Sequence, residues 1–150
     1  MGEDRDALLA HYRETREQLL AVLDGLTDEQ MTERTVDGWS VKDHLLHLAL
    51  WDDVRAGEVA RISAGHASAW RLSGEQDAAF NAVAYEVRQA LSLAQARWEL
   101  GASRRRLLDA IASASARGLD ASLYGEAGLH SGHEAQHTGW IRAWRAERGY

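Results

Sequence analysis

Apolar residues recur along this chain at spacings of three and four. Leu8, Tyr12, Leu19, Val22 and Leu26, with Thr15 between them, form one such stripe and predict an amphipathic helix over residues 3–24. Gly25 stands where a helix commonly stops. Thr27-Asp28-Glu29-Gln30 has the form of a capping box and predicts a short helical turn.

Val36-Asp37-Gly38-Trp39 reads as a loop, and Ser40 after it as an N-cap. Asp43 then sits where the helix dipole favours an acid. The helix that follows is expected to run to about Ser63. Taking His44 as the origin and about 100° per residue, His47 falls at about 300°, Leu48 at about 40°, Trp51 at about 340° and Ile62 at about 0°. His47 is therefore expected at the edge of the buried stripe.

Gly65 to Gly74 is a polar connection that contains Trp70. Helical pattern resumes near Glu75 and continues to about Ala116, with Gly118 as its stop. Ser92-Leu93-Ala94-Gln95 resembles an internal capping box, so this stretch is either two helices or one kinked helix. A last helix is expected from about Glu126 to Arg148. On it Leu129, His133, His137, Trp140 and Trp144 share one face, within about 60°. The chain thus reads as one all-α domain over residues 1–150, a four-helix bundle.

Composition supports that reading. Proline is absent, and alanine, leucine, glutamate and arginine outweigh valine and isoleucine. The net charge of -6 argues against a nucleic-acid partner. Arg104-Arg105-Arg106 is the only basic run and is expected to be a solvated helix face. The absence of cysteine excludes disulfides, thiolate metal sites and a cysteine nucleophile. The charged N-terminus does not read as a signal peptide, and no apolar stretch approaches the ~18 residues of a membrane span. A cytoplasmic protein without membrane partners is the expectation.

The chemistry concentrates on histidine. His133 and His137, in His133-Glu134-Ala135-Gln136-His137, are spaced i, i+4 and so share a helix face. Buried imidazoles need partners for their ring nitrogens, and a metal ion is one such partner. His47 is the candidate third ligand on another helix. His44 and His130, each three residues before a candidate ligand, can replace one, line the pocket or carry protons. His11 and His66 read as surface residues.

The same segment matches the H-E-x-x-H pattern of zinc peptidases, with Glu134 as general base. The longer form of that pattern needs glycine at 140 and histidine at 143, where the chain has Trp140 and Ala143. In the other reading Glu134 simply faces solvent, about 100° from His133. Trp39, Trp51, Trp98, Trp140 and Trp144 are expected in the core. Trp51 and Trp140, each about a turn from a candidate ligand, can also wall a substrate pocket.

Two segments resemble the DinB-like superfamily of metal-binding four-helix bundles. They are Gly38-Trp39-Ser40-Val41-Lys42-Asp43 through His47 to Trp51, and His133 to His137 followed by Ile141 and Trp144. That superfamily includes YfiT-type metal hydrolases, thiol-dependent S-transferases and maleylpyruvate isomerases. The resemblance implies a metal site at His47, His133 and His137, a divalent ion (zinc first, then nickel or iron) and a homodimer. It also implies a small-molecule substrate, with a low-molecular-weight thiol as a further cosubstrate. These residues are not expected to include a counterpart of the extra C-terminal domain of many mycothiol-dependent isomerases, a departure from that branch. A related branch, similar to small self-resistance bundles, shares Gly38-Trp39-Ser40 and Asp77-Ala78-Ala79-Phe80-Asn81.

Three functions follow as expectations. The first is a metal-dependent hydrolase or thiol transferase, with His44, His130 or Glu134 moving protons. The second is a non-catalytic binding or self-resistance protein. The third is a metallopeptidase.

Overall fold

The computed structural model describes residues 2–35 and 37–150. Val36, in the loop expected at 36–39, lies outside them. Six α-helices are formed among the described residues. They are α1 (Arg5–Leu23), α2 (Asp28–Thr32), α3 (Val41–Ser63), α4 (Gly74–Arg88), α5 (Leu93–Ala112) and α6 (His133–Arg148). Two single-turn 3-10 segments, Arg117–Leu119 and Ala121–Leu123, lie between α5 and α6. Among the described residues there is no strand, only an isolated antiparallel bridge between Arg34 and Ser40. No helix among them is long and apolar enough to cross a membrane.

Side-chain caps set most helix starts. Thr27 forms the expected reciprocal capping box with Gln30, and Ser40, expected as an N-cap, forms a reciprocal box with Asp43. Ser73 with Gln76 makes a third box at the head of α4, one the sequence reading passed over. Ser92 accepts from the Gln95 amide and begins α5, so the 75–116 stretch is two helices. The second of them ends at Ala112 rather than near Ala116. At Gly118 the packing is close: a Cβ there would stand 1.9 Å from Ser63 Oγ and 3.1 Å from Ser63 Cβ, so Ser63 would have to move.

α1, α3, α5 and α6 pack around one another, while α4 lies against α3. No α4 residue is fully buried. Aromatic contacts hold it instead. Phe80 meets Trp51 edge to face at 5.5 Å, and Tyr85 stacks on Trp39 at 5.3 Å.

The last helix begins seven residues later than the pattern suggested, at His133 instead of near Glu126. Tertiary partners take the backbone groups that helix would have used. The Glu126 amide donates to Trp70 O at 2.7 Å, and Arg55 Nε donates to Ala127 O and Gly128 O at 2.8 Å. Tyr12 donates its hydroxyl to Leu129 O. Gly128 adopts φ +60, and a Cβ on Gly125 would lie 2.1 Å from Trp70 O. Leu129 is buried as expected, but it enters the core from this loop.

The interior has three levels. One apolar cluster includes Leu8, Val59, Ile62, Leu107 and Ile111. Another includes Leu19, Leu45, Leu48, Leu100 and Trp144. Between them along α1, α3 and α5 lie buried charges. Asp52 accepts from Arg104 Nε at 2.8 Å, Arg16 Nη2 at 3.2 Å and Arg55 Nη1 at 3.4 Å. Glu134 Oε1 accepts from Arg16 Nη2 at 2.9 Å and Arg104 Nη2 at 3.0 Å. One residue or more of this layer comes from each of the four bundle helices.

Three expectations are corrected by these positions. Arg104 is 5% exposed, so the basic run is not a uniformly solvated face; only Arg105 and Arg106 meet water. Glu134 is also 5% exposed and does not face solvent, because both its arginine partners lie inside the bundle. Trp98 and Trp140 are 62% and 48% exposed and are not core residues.

Removing one partner of a buried ion network leaves the remaining charges uncompensated. Asp52→Ala is expected to cost about 3–5 kcal/mol of folding stability. Urea unfolding checks this; a loss below about 1 kcal/mol would show that the layer is not integral to the fold.

Candidate metal centre

The Ser40 capping box sets the phase of α3 and so the direction of His44 and His47. Opposite them, α6 starts at His133, whose amide donates to Ser131 Oγ at 3.1 Å. His137 follows one turn later. Three Nε2 atoms converge between the two helices. His133 Nε2 lies 2.9 Å from His47 Nε2 and 3.2 Å from His137 Nε2. Ligand atoms on a tetrahedral zinc with Zn–N bonds of ~2.05 Å stand about 3.3 Å apart. His47, His133 and His137 can therefore hold one metal ion, their donor atoms all lying within 4.8 Å of one another.

The protonation states suit that role. Burial lowers all three histidines, to about 3 for His47, about 4 for His133 and about 2 for His137. The neighbouring imidazoles contribute to the lowering at His47 and His137, and the Arg55 charge to that at His133. Neutral imidazoles present lone pairs, the form in which histidine ligates.

His44 stands behind this group, 2% exposed. Its Nδ1 lies 2.8 Å from His137 Nδ1, and its Nε2 lies 3.1 Å from Asp37 Oδ2. With His137 Nε2 turned to the cluster, one tautomer assignment satisfies the whole chain. His137 Nδ1–H donates to His44 Nδ1, and His44 Nε2–H donates to Asp37. Burial lowers the His44 pKa, against a rise from Asp37 and Asp43. Metal-ligating histidines commonly donate their second N–H to such a partner, which fixes ring orientation.

Trp39 and Trp140 flank the group. Trp39 meets the His47 ring at 5.2 Å, and Trp140 meets His137 at 4.7 Å, both edge to face. They wall an open cleft of about 440 Å³ that also reaches His44, His133 and Gln136. Trp51 lies in a second, more polar cavity, where its Nε1–H donates to Asn81 Oδ1 at 2.8 Å.

The structure thus brings His44, His47, His133, His137 and Trp140 together, with Trp51 at the adjoining cavity. It does not bring His130, which is exposed and stacked on His11 at 4.1 Å. His11 is half-buried rather than a surface residue, with Nε2 2.7 Å from Ser131 O. Glu134 points away from the histidines into the ionic layer. Sequence reasoning missed Asp37 and Arg55 at the site. Asp37 reaches His44 through a loop turn with Gly38 at φ +89, and no side-chain periodicity signals such a contact.

A family model described as DinB superfamily matches residues 11–141. No curated protein matches the chain. Among solved structures, an uncharacterised protein from Escherichia coli UTI89 aligns with a TM-score of 0.76 and 16% identity, covering 97% of this chain and 94% of that one. At that identity the likeness concerns the fold alone.

The depressed histidines make the metal-free chain acid-sensitive. Once unfolded, each ionises near its ordinary value of about 6.5. Below that pH the unfolded chain binds more protons than the folded one, so stability falls as pH drops toward the folded values of about 4 to 2. Each histidine removes about 1.4 kcal/mol per pH unit inside its window. Urea unfolding of metal-free protein between pH 7.5 and 5 is expected to show this decline, with a shallower slope in His137→Asn. A flat profile would contradict it.

Proposed function

Because the chain belongs to the DinB superfamily, we propose that it is a divalent-metal-dependent enzyme acting on a small molecule, by hydrolysis or by thiol transfer or isomerisation. The convergence of His47, His133 and His137 Nε2 atoms at ligand spacing carries this reading. Zinc suits three neutral imidazoles at these separations, and imidazole also accepts nickel and iron. When bound, a divalent ion supplies Lewis acidity, enough to make a water or thiol ligand nucleophilic near neutral pH.

The chain's own residues supply the rest. His44 holds the His137 ring through Nδ1 and passes that constraint to Asp37. Asp37 is 43% exposed at its side chain, so this line of hydrogen bonds runs from the cluster to the cleft mouth and can carry a proton along it. Trp39 and Trp140 offer apolar walls against which a substrate excludes water from the histidines.

Glu134 is assigned to the scaffold in this reading. Its Oε1 is held by two arginines, which leaves the H-E-x-x-H peptidase mechanism without a base in the cleft. The half-exposed Trp140 on the cleft wall favours a second reading, a self-resistance protein that sequesters an aromatic or reactive compound without turnover.

Metal analysis of protein purified without a histidine tag is expected to give about one equivalent per chain. His47→Ala should lose nearly all of it. His44→Ala should still bind metal, with affinity weakened by about 10–100-fold. Less than about a tenth of an equivalent in the wild type, unchanged in His47→Ala, would sink the proposal. Turnover separates the two readings: many equivalents of substrate consumed per chain mark an enzyme, and one marks sequestration.

A further inference from the structure

A second cavity of about 180 Å³ opens beside His47 and His133, and Trp140 is not among its walls. Its lining is mostly polar. Arg55 is 4% exposed, and two of its nitrogens are committed: Nε to the carbonyls of Ala127 and Gly128, Nη1 to Asp52. Its Nη2 has no hydrogen-bond partner among the described residues. It is also not one of the fully enclosed unpartnered atoms. Nη2 therefore faces the cavity with two free donors.

Asn81 is oriented just as firmly. The Trp51 Nε1–H donates to Asn81 Oδ1 at 2.8 Å, which leaves the Nδ2 amide group as the free end. Ser131, whose Oγ accepts from the His133 amide, keeps its hydroxyl proton for a further acceptor. Free donors of three residues thus line the cavity beside the His47 and His133 rings. Asp77, half-buried, and Glu126, exposed, line it nearer solvent with no ion-pair partner among the described residues.

We propose that this cavity is a carboxylate subsite, in which Arg55 and Asn81 bind the two oxygens of a small acid. Asp77 and Glu126 then favour a ligand that also carries an ammonium group, as an α-amino acid does. A guanidinium and an amide matched to two oxygens give orientation as well as attraction. The mixed charge selects a zwitterion over a dianion, because two rim carboxylates repel excess negative charge. The remaining substituent of such a ligand is directed past His47 and His133, toward the group proposed above as a metal centre. The inference rests on that reading for its connection to chemistry, but the binding itself does not need a metal.

Nitrogen-15 NMR of the full chain tests this, following the Asn81 side-chain amide and Arg55 Nε–H. Protein stripped of metal by chelation, and the same protein loaded with zinc, are titrated with glycine, acetate and inorganic phosphate. Glycine is expected to give saturable shifts in both forms and to bind more tightly than acetate, and acetate more tightly than phosphate. Asn81→Asp keeps an acceptor for the Trp51 N–H but turns the free donors into acceptors. It should weaken glycine by about tenfold or more, the loss of one charge-assisted hydrogen bond. Arg55→Lys, which keeps the charge and loses the fork, should weaken it similarly, and zinc content should be unchanged in Asn81→Asp.

An absent shift in the wild type would overturn the subsite, as would an unaltered affinity in Asn81→Asp. So would shifts seen only with zinc, since the carboxylate would then be binding the metal. Equal affinity for acetate and glycine would overturn the role of the rim acids, and tighter binding of phosphate would overturn the choice of a carboxylate. Loss of zinc binding with glycine shifts intact would count against the metal centre and leave the subsite standing.

Discussion

The buried ion layer of Arg16, Asp52, Arg55, Arg104 and Glu134 is the constraint on which the rest of this molecule depends. Charges taken out of water must be met by geometry, since their desolvation is otherwise too costly to sustain. Here each carboxylate receives at least two guanidiniums, and the groups come from all four bundle helices. An apolar core tolerates small slides of one helix past another. A layer of directional charge pairs does not, because a shift of an ångström or two strands a buried charge. Burial alone would pull the Arg104 pKa down, yet Asp52 and Glu134 hold it above its ordinary value.

That registration reaches the histidines directly. Glu134 lies between His133 and His137 in sequence, about 100° around the same helix from His133. Fixing Glu134 against Arg16 and Arg104 therefore fixes the rotation of α6 about its axis. On α3, Asp52 and Arg55 lie one to two turns beyond His47 and perform the same service there. The Nε2 separations of 2.9 and 3.2 Å depend on two helix rotations at once, and the ion layer sets both. Arg55 also anchors the 124–132 loop through Ala127 and Gly128, so one side chain positions α3, the entry to α6 and the floor of the polar cavity.

Local signals were legible wherever the physics is local. Ser40 and Thr27 cap helices because a side-chain oxygen three residues upstream of an amide satisfies it in any tertiary setting. The His133–His137 pair shares a face because helical geometry requires it. Signals failed where a distant partner decides. Glu134 and Arg104 have the sequence surroundings of surface residues, and contacts across the bundle, with each other and with Arg16 and Asp52, bury them. Trp98 and Trp140 look like core residues by composition, but their positions open onto solvent and the cleft. Residues 126–132 carry a helix-like spacing at Leu129, yet Trp70, Arg55 and Tyr12 take up the backbone groups that a helix would need.

The sequence by itself determined the helical class, most helix starts and the identity of the histidines able to meet, because caps and periodicity act within a turn or two of chain. The tertiary structure alone decided that His44 backs His137 and reaches Asp37. It also decided that Glu134 serves the core, and that Arg55 and Asn81 face a cavity beside the cluster. Apart from the His44–Asp37 contact, which is close in the chain, those outcomes depend on contacts between residues about 30 to 120 positions apart. No local propensity encodes such pairings; they follow from helix rotations that only the packed and charge-matched interior can set.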